Sequence, residues 1–109
     1  MAIDKTVGNN RNTTDATDTG STGLNNSTAV TIQAANKIRI FFHVNNNDST
    51  KDFWVRLYPA SQDNTKHGIF VTSKTGSKSY WEMPSDNIYT GEISAIADSD
   101  SPTAYTTEY

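Results

Sequence analysis

The sequence predicts an all-β protein: a compact antiparallel β-sandwich or jelly-roll-like barrel of about seven strands behind an extended polar N-terminal arm. Three observations predict it. After Thr28, short runs of β-branched and aromatic residues alternate with polar ones. Clusters of Asn, Asp, Ser and Gly separate these runs, as turns require. No stretch needs a helical period, which excludes parallel α/β designs.

The elements follow in order. Residues 1–27 are mostly Asn, Thr, Asp, Ser and Gly, with Ile3, Val7 and Leu24 the sizeable aliphatic residues besides Met1. Their side chains compete for backbone hydrogen bonds, so this stretch forms no core of its own and is expected as an arm, extended or disordered when alone. Residues 28–109 are expected to form the sandwich. Ala29 to Gln33 opens it, with Val30 and Ile32 on one face, and Ala34-Ala35-Asn36 breaks it. Ile38, Ile40, Phe42 and Val44 alternate with Lys37, Arg39, Phe41 and His43, which predicts one long strand with the first set inward. The Asn-rich turn at Asn45 then leads to Phe53–Tyr58, and these two runs are expected to pair as a hairpin. Gly68 to Val71 and Ser79 to Met83 flank a Lys74-Thr75-Gly76-Ser77 turn. Ile88 to Ala97 reads as one long strand bulged at Gly91, and Thr103 to Tyr109 as the last.

Composition narrows the functional classes. The chain has 109 residues, of which 34% are hydrophobic, so the core is small and association with copies of itself or with a partner is expected. No cysteine is present for a disulfide or a thiolate metal site. A net charge of −3 lacks the basic stripe of a nucleic-acid binder. No apolar run reaches the roughly 18 residues of a membrane-spanning helix, and the Met1-Ala2-Ile3-Asp4 start does not read as a signal peptide. Neither nucleic acid nor membrane is expected as a partner.

No catalytic, cofactor or metal constellation stands out. His43 and His67 lack the spacing of a zinc pair; His43 is expected on an outward strand face and His67 in a loop. No serine sits in a nucleophile elbow. Asp86, Glu92, Asp98 and Asp100 suit glycoside cleavage or Ca²⁺ on paper, but Asp-rich turns are usually only turns. The acceptor-like triplets at Asn12, Asn26 and Asn47 arise by chance in a chain so rich in Asn and Thr. An enzyme is therefore not expected. If Phe53, Val55 and Leu57 point inward, Trp54, Arg56 and Tyr58 form an outward row of residue types enriched at interfaces. With Phe41 and the aliphatic Ile3, Val7 and Leu24, they are the expected interface residues. Trp54 and Trp81 are the alternative candidates for stacking on sugar rings.

From about Thr28 to Tyr109 the chain resembles a group of small tailed-phage virion proteins. The resemblance is carried by Ala34-Ala35-Asn36-Lys37-Ile38-Arg39-Ile40, the Asn-rich turn, Phe53-Trp54-Val55-Arg56-Leu57, the Gly68-Ile69 step, the stretch from Asp86-Asn87-Ile88-Tyr89-Thr90-Gly91-Glu92 to Ala97, and the Glu108-Tyr109 end. A Pro-Gly turn common in such proteins is replaced here by Ser73-Lys74-Thr75-Gly76-Ser77. The resemblance implies a β-sandwich with a capsid decoration, cement or head-fibre role. The expectation is thus a decoration protein, trimeric, made in the host cytoplasm and carried on the capsid surface of the virion with the major capsid protein as partner. The alternatives are a module binding a host-surface glycan from a head fibre or tail, and a tail or head-tail connector component.

Overall fold

The computed structural model describes residues 18–109. Within them the alternating runs become eight strands: β1 (Asp18–Gly23), β2 (Val30–Gln33), β3 (Phe42–Asn46), β4 (Phe53–Arg56), β5 (Ile69–Val71), β6 (Tyr80–Glu82), β7 (Ile93–Ala97) and β8 (Thr103–Glu108). No helix occurs among the described residues, and so none long and apolar enough to cross a membrane. The strands form two antiparallel four-stranded sheets, in the orders β1-β8-β3-β6 and β2-β7-β4-β5. Every connection except β4 to β5 carries the chain from one sheet to the other. This is the strand order of a jelly roll.

Alternation decides what lies between the sheets. Phe42 and Val44 of β3, Phe53 and Val55 of β4, Val71 of β5, Ile93, Ala95 and Ala97 of β7 and Ala104 of β8 all point inward and are fully buried. Large residues sit beside small ones across the ladder, with Phe53 opposite Ala97 and Val55 opposite Ala95. That pairing leaves room beside each large side chain for those of the facing sheet. Leu24, Ile32 and Met83 close the core at its margins.

Several expectations are corrected. The stretch expected as an arm over 1–27 divides: Asp18–Gly23 is an edge strand of the first sheet, paired with β8 from Asp18↔Glu108 to Gly23↔Thr103. This strand has no large apolar residue, so its ladder partner and not its own pattern holds it. Leu24, expected at an interface, is instead buried in the core, and its N–H donates to the Pro102 carbonyl at 2.9 Å. Ile3 and Val7 lie outside the described residues. The long strand expected from Lys37 begins only at Phe42; Ile38 and Ile40 are 54% and 46% exposed, while Arg39 between them is buried. The expected hairpin between the Phe42 and Phe53 runs does not form, because β3 and β4 belong to different sheets and the segment between them is a corner. The run from Ile88 is a strand only over Ile93–Ala97, since the Tyr89 hydroxyl donates to the Glu92 carbonyl and folds residues 89–92 onto themselves. Trp81 faces the core opposite Val44, partly buried, and offers no platform for a sugar.

Candidate functional site

The outer face of the first sheet is the open surface of the described molecule. Its outward positions are Thr19 and Ser21 on β1, Thr103, Tyr105 and Thr107 on β8, His43 and Asn45 on β3, and Tyr80 and Glu82 on β6, with Phe41 and Tyr109 just beyond the strand ends. None of these is Lys or Arg. A run of rings crosses the face with nearly parallel neighbours. Tyr109 and Phe41 lie 4.8 Å apart, Phe41 and His43 6.5 Å, and His43 and Tyr80 5.7 Å, with successive interplanar angles of 19°, 3° and 19°. The rings of this run thus have aromatic neighbours of their own, whereas Tyr105, 42% exposed, pairs with no other ring among the described residues.

The two ends of this face differ in chemistry. At one end the Ile40 and Phe41 N–H groups donate to the Tyr109 carbonyl at 2.8 and 2.9 Å, which brings exposed Ile40 beside the Phe41–Tyr109 stack. Ile38 is exposed on the same loop. Asp18 pairs with Glu108 at this end, so the chain enters the sheet next to the apolar patch. At the other end Asn47, Asp48, Ser101, Thr103 and Tyr105 line an open polar cleft of about 140 Å³.

The cleft is shaped by the corner between β3 and β4. Asn46, buried at the end of β3, accepts the Asp48 N–H at 2.9 Å and donates its side-chain amide to the Lys51 carbonyl at 2.7 Å. Asp48 Oδ1 in turn accepts the N–H groups of Thr50 and Lys51, both at 2.9 Å. These backbone donors, Thr50 first, hold the Asp48 carboxyl below the usual carboxylate range. The Lys51 ammonium donates to the Asp100 carbonyl across the corner.

The second sheet's outer face is half covered by its own chain. Residues 57–68, joining β4 to β5, fold back over it. Arg56, expected outward and exposed, points outward but lies under this loop, 1% exposed. Its Nε donates to Ser94 Oγ at 3.0 Å, Nη1 to Asp63 Oδ1 at 3.1 Å and to the Thr65 carbonyl at 3.0 Å, and Nη2 to the Asp63 carbonyl at 2.8 Å. Arg56 is therefore a clasp and offers no surface to a partner. Its guanidinium lies 4.6 Å from the centre of the Tyr58 ring. The Tyr58 hydroxyl donates to Asp63 Oδ1 at 3.0 Å and lies 2.8 Å from His67 Nε2. Burial, then the bond to Asp63, holds that hydroxyl above its ordinary range. Trp54 faces outward, half buried, its ring centre 4.4 Å from that of Phe70. Its indole N–H is buried without an acceptor.

The expected interface residues thus do not form one surface. Phe41 lies on the first sheet's face, Trp54 and Tyr58 on the second's, and Arg56 and Leu24 are covered. The sequence pattern does not single out Ile38 and Ile40, whose exposure follows from β3 starting late, nor half-buried Tyr109 just past β8, nor Tyr105, whose outward position follows from its inward neighbours Ala104 and Thr106. Among the described residues no group of three His, Asp or Glu side chains could hold a metal ion. Two of the carboxylates singled out in the sequence tie distant segments together: Glu92 Oε2 accepts the Thr31 hydroxyl at 2.6 Å and the Ala60 N–H at 3.1 Å, and Asp100 Oδ1 accepts the Asn26 N–H at 2.8 Å. Comparison with protein-family models, with curated proteins and with solved structures returns no match.

Proposed function

We propose that the chain is a binding module without catalytic chemistry, a virion structural protein of a tailed bacteriophage that decorates the capsid and stabilises it by protein–protein contact. The observation that carries the docking is the exposed apolar end of the first sheet. Ile40, Phe41 and Tyr109, with Ile38 nearby, gather aliphatic and stacked aromatic surface where a small domain would otherwise place polar groups. The address on a phage particle rests on the resemblance of residues 28–109 to small virion proteins. The partner proposed for this patch is the major capsid protein. Contacts of this size are weak singly and become effective through repetition on a lattice. A protein that binds the assembled shell and not free subunits stabilises the shell by mass action. The small core favours self-association on the particle, with a trimer as the proposed symmetry.

Co-sedimentation with empty capsids of the phage that encodes the chain tests this reading. The full chain is expected to pellet with shells at saturable stoichiometry. Phe41→Glu is expected to weaken pelleting by about tenfold or more, whereas Phe70→Glu, on the opposite face, should leave it nearly unchanged. A wild-type chain that stays in the supernatant removes the decoration role, and a Phe41→Glu chain that pellets as wild type removes the patch from it.

A further inference from the structure

We infer that the cleft at the other end of the first sheet, formed by Asn47, Asp48, Ser101, Thr103 and Tyr105, is a binding site for a neutral carbohydrate. It stands apart from shell docking, which is assigned to the Phe41 end of the sheet.

Three features of the cleft select the ligand. The first is the free ring. The run Tyr109, Phe41, His43 and Tyr80 packs its rings against one another, but Tyr105 has no aromatic neighbour and opens into the cleft. An unpaired ring face beside polar groups suits the apolar C–H face of a pyranose, whose hydroxyls then meet the surrounding donors and acceptors.

The second is the character of the polar lining. Asn47 supplies an amide, Ser101 and Thr103 supply hydroxyls, and Asp48 a carboxylate. Because Asp48 Oδ1 is engaged by the Thr50 and Lys51 N–H groups, the carboxylate is held in one orientation with Oδ2 outside both bonds. An oriented, ionised carboxylate next to an amide accepts and donates to adjacent hydroxyls as a pair. An apolar peptide side chain placed there would leave these groups desolvated and unpaired.

The third is charge. The outward positions of the sheet carry no Lys or Arg, and the Lys51 ammonium is bonded to the Asp100 carbonyl at the edge of the corner. The Asp48 carboxylate lines the cleft itself, whereas the Lys51 ammonium stands at its edge; a phosphate, sulfate or sialic acid seated on the Tyr105 ring would meet the carboxylate, which disfavours anionic ligands. The volume of about 140 Å³ is well below that of a drug-sized pocket, roughly 300 Å³ or more, and is suited to one sugar ring, with neighbouring rings of a chain lying over Thr107 and Ser21. Such a site binds weakly alone and gains strength from copies displayed together on one particle.

Amide-resolved NMR titration of the full ¹⁵N-labelled chain with maltotriose, cellotriose, tri-N-acetylchitotriose and, as the anionic comparison, sialyllactose reads the proposal directly. At least one neutral trisaccharide is expected to give saturable shifts centred on Asn47, Asp48, Ser101, Thr103 and Tyr105, with a Kd on the order of 1 mM. Tyr105→Ala is expected to weaken that binding by about tenfold, Asn47→Ala by about threefold or more, and Tyr105→Phe by less than about threefold. Tyr105→Leu, which keeps an apolar strand residue but no ring, gives the same reading should the alanine variant fold poorly. Absence of saturation by any neutral trisaccharide up to about 10 mM overturns the inference. So does saturation by sialyllactose alone, shifts centred on Trp54 and Phe70, or binding indifferent to both Tyr105→Leu and Asn47→Ala. None of these results bears on co-sedimentation with shells, so the two readings fail separately.

Discussion

Arg39 places its guanidinium wholly inside the sandwich. Nε lies 2.5 Å from Glu108 Oε1, Nη1 donates to the carbonyls of Tyr89 and Gly91 at 2.7 and 3.1 Å, and Nη2 to that of Ala34 at 2.7 Å. One side chain thus ties together the segment before β3, the loop before β7 and the end of β8. Both partners of the ion pair are buried, so removing the cation strands a carboxylate and three carbonyls at once. Arg39→Ala is expected to lower unfolding stability by about 3–5 kcal/mol in urea titration. Glu108→Gln, which keeps an acceptor for Nε and leaves the cation held by three carbonyls, should cost about 1–2 kcal/mol. Equal costs would mean that the carboxylate, and not the carbonyl clamp, is the main partner. Gly68 is a second such position: at φ 115° its missing Cβ avoids the Val55 carbonyl, so Gly68→Ala is expected to cost about 2 kcal/mol or more, while Gly23→Ala, with open space around it, should not. Neither role was legible in the sequence. Arg39 sits in an unbroken alternation that assigned it outward, and the carboxylate that draws it inward is 69 residues away. Phe42, Val44, Phe53 and Val55 were legible because each one's side is set by its immediate neighbours.

Loops in this molecule are held by side chains and not by length alone. Residues 57–68 stay on the second sheet because Arg56 and Asp63 fasten them, and beneath them Ser94 and Ile96 are fully buried although they point away from the core. Arg56→Met keeps the stem and removes the clasp; it is expected to raise amide hydrogen exchange throughout 57–68 before any change in β3 or β8. Exchange that rises uniformly would show that the loop has no separate opening. The carboxylates that cap loops set an acid limit. Asp48, Asp63 and Glu92 are all held below their usual range, Asp48 by the Thr50 and Lys51 N–H groups, Asp63 chiefly by the Thr65 N–H, and Glu92 by the Thr31 hydroxyl and then the Ala60 N–H. A folded value below the unfolded one contributes stability above the unfolded value, and that contribution is lost as pH falls through the folded value. The melting temperature is therefore expected to hold level from neutral pH to about 5 and to fall below about 4. Asp48→Asn should make the acid limb shallower in a calorimetric pH series, and an unchanged limb would remove Asp48 from it. At this scale the strands beginning at Val30, Phe53, Ile69, Tyr80 and Thr103 were readable from β-branched and aromatic runs. Their partners were not. An Asn-rich segment between two strands signals a reversal of direction, and a hairpin and a corner between sheets reverse it equally well; the buried Asn46 side chain, bonded to Lys51, makes it a corner.

Seen whole, the sandwich depends on a strand that no apolar pattern announces. β1 carries the sequence Asp18-Thr19-Gly20-Ser21-Thr22-Gly23, nearly all of it exposed, and among the described residues its only sheet partner is β8. β8 lies between β1 and β3 in the order of the first sheet, and it also supplies Tyr105 to the cleft and leads to Tyr109 in the apolar patch. Both candidate surfaces therefore sit on a strand whose position β1 helps to fix, which is why neither surface could be assembled from local sequence: the cleft joins residues 47–48 to 101–105, and the patch joins 38–41 to 109. Two truncations separate the contributions. A chain of residues 18–109 keeps β1 and Leu24; a chain of residues 28–109 loses the β1–β8 ladder and a core side chain that is 3% exposed. Losing the leucine alone is worth about 2–5 kcal/mol, a large part of the roughly 5–15 kcal/mol that holds a domain together. It also leaves β8 as a bare edge that can pair with another molecule. The shorter chain is expected to melt at least about 10 °C below the longer one and to sediment as concentration-dependent aggregates, as measured by circular dichroism and sedimentation velocity. If residues 28–109 instead melt with the longer chain and remain a single species, then β1 is a passenger on the sheet, and the placement of Tyr105 and Tyr109 owes nothing to it.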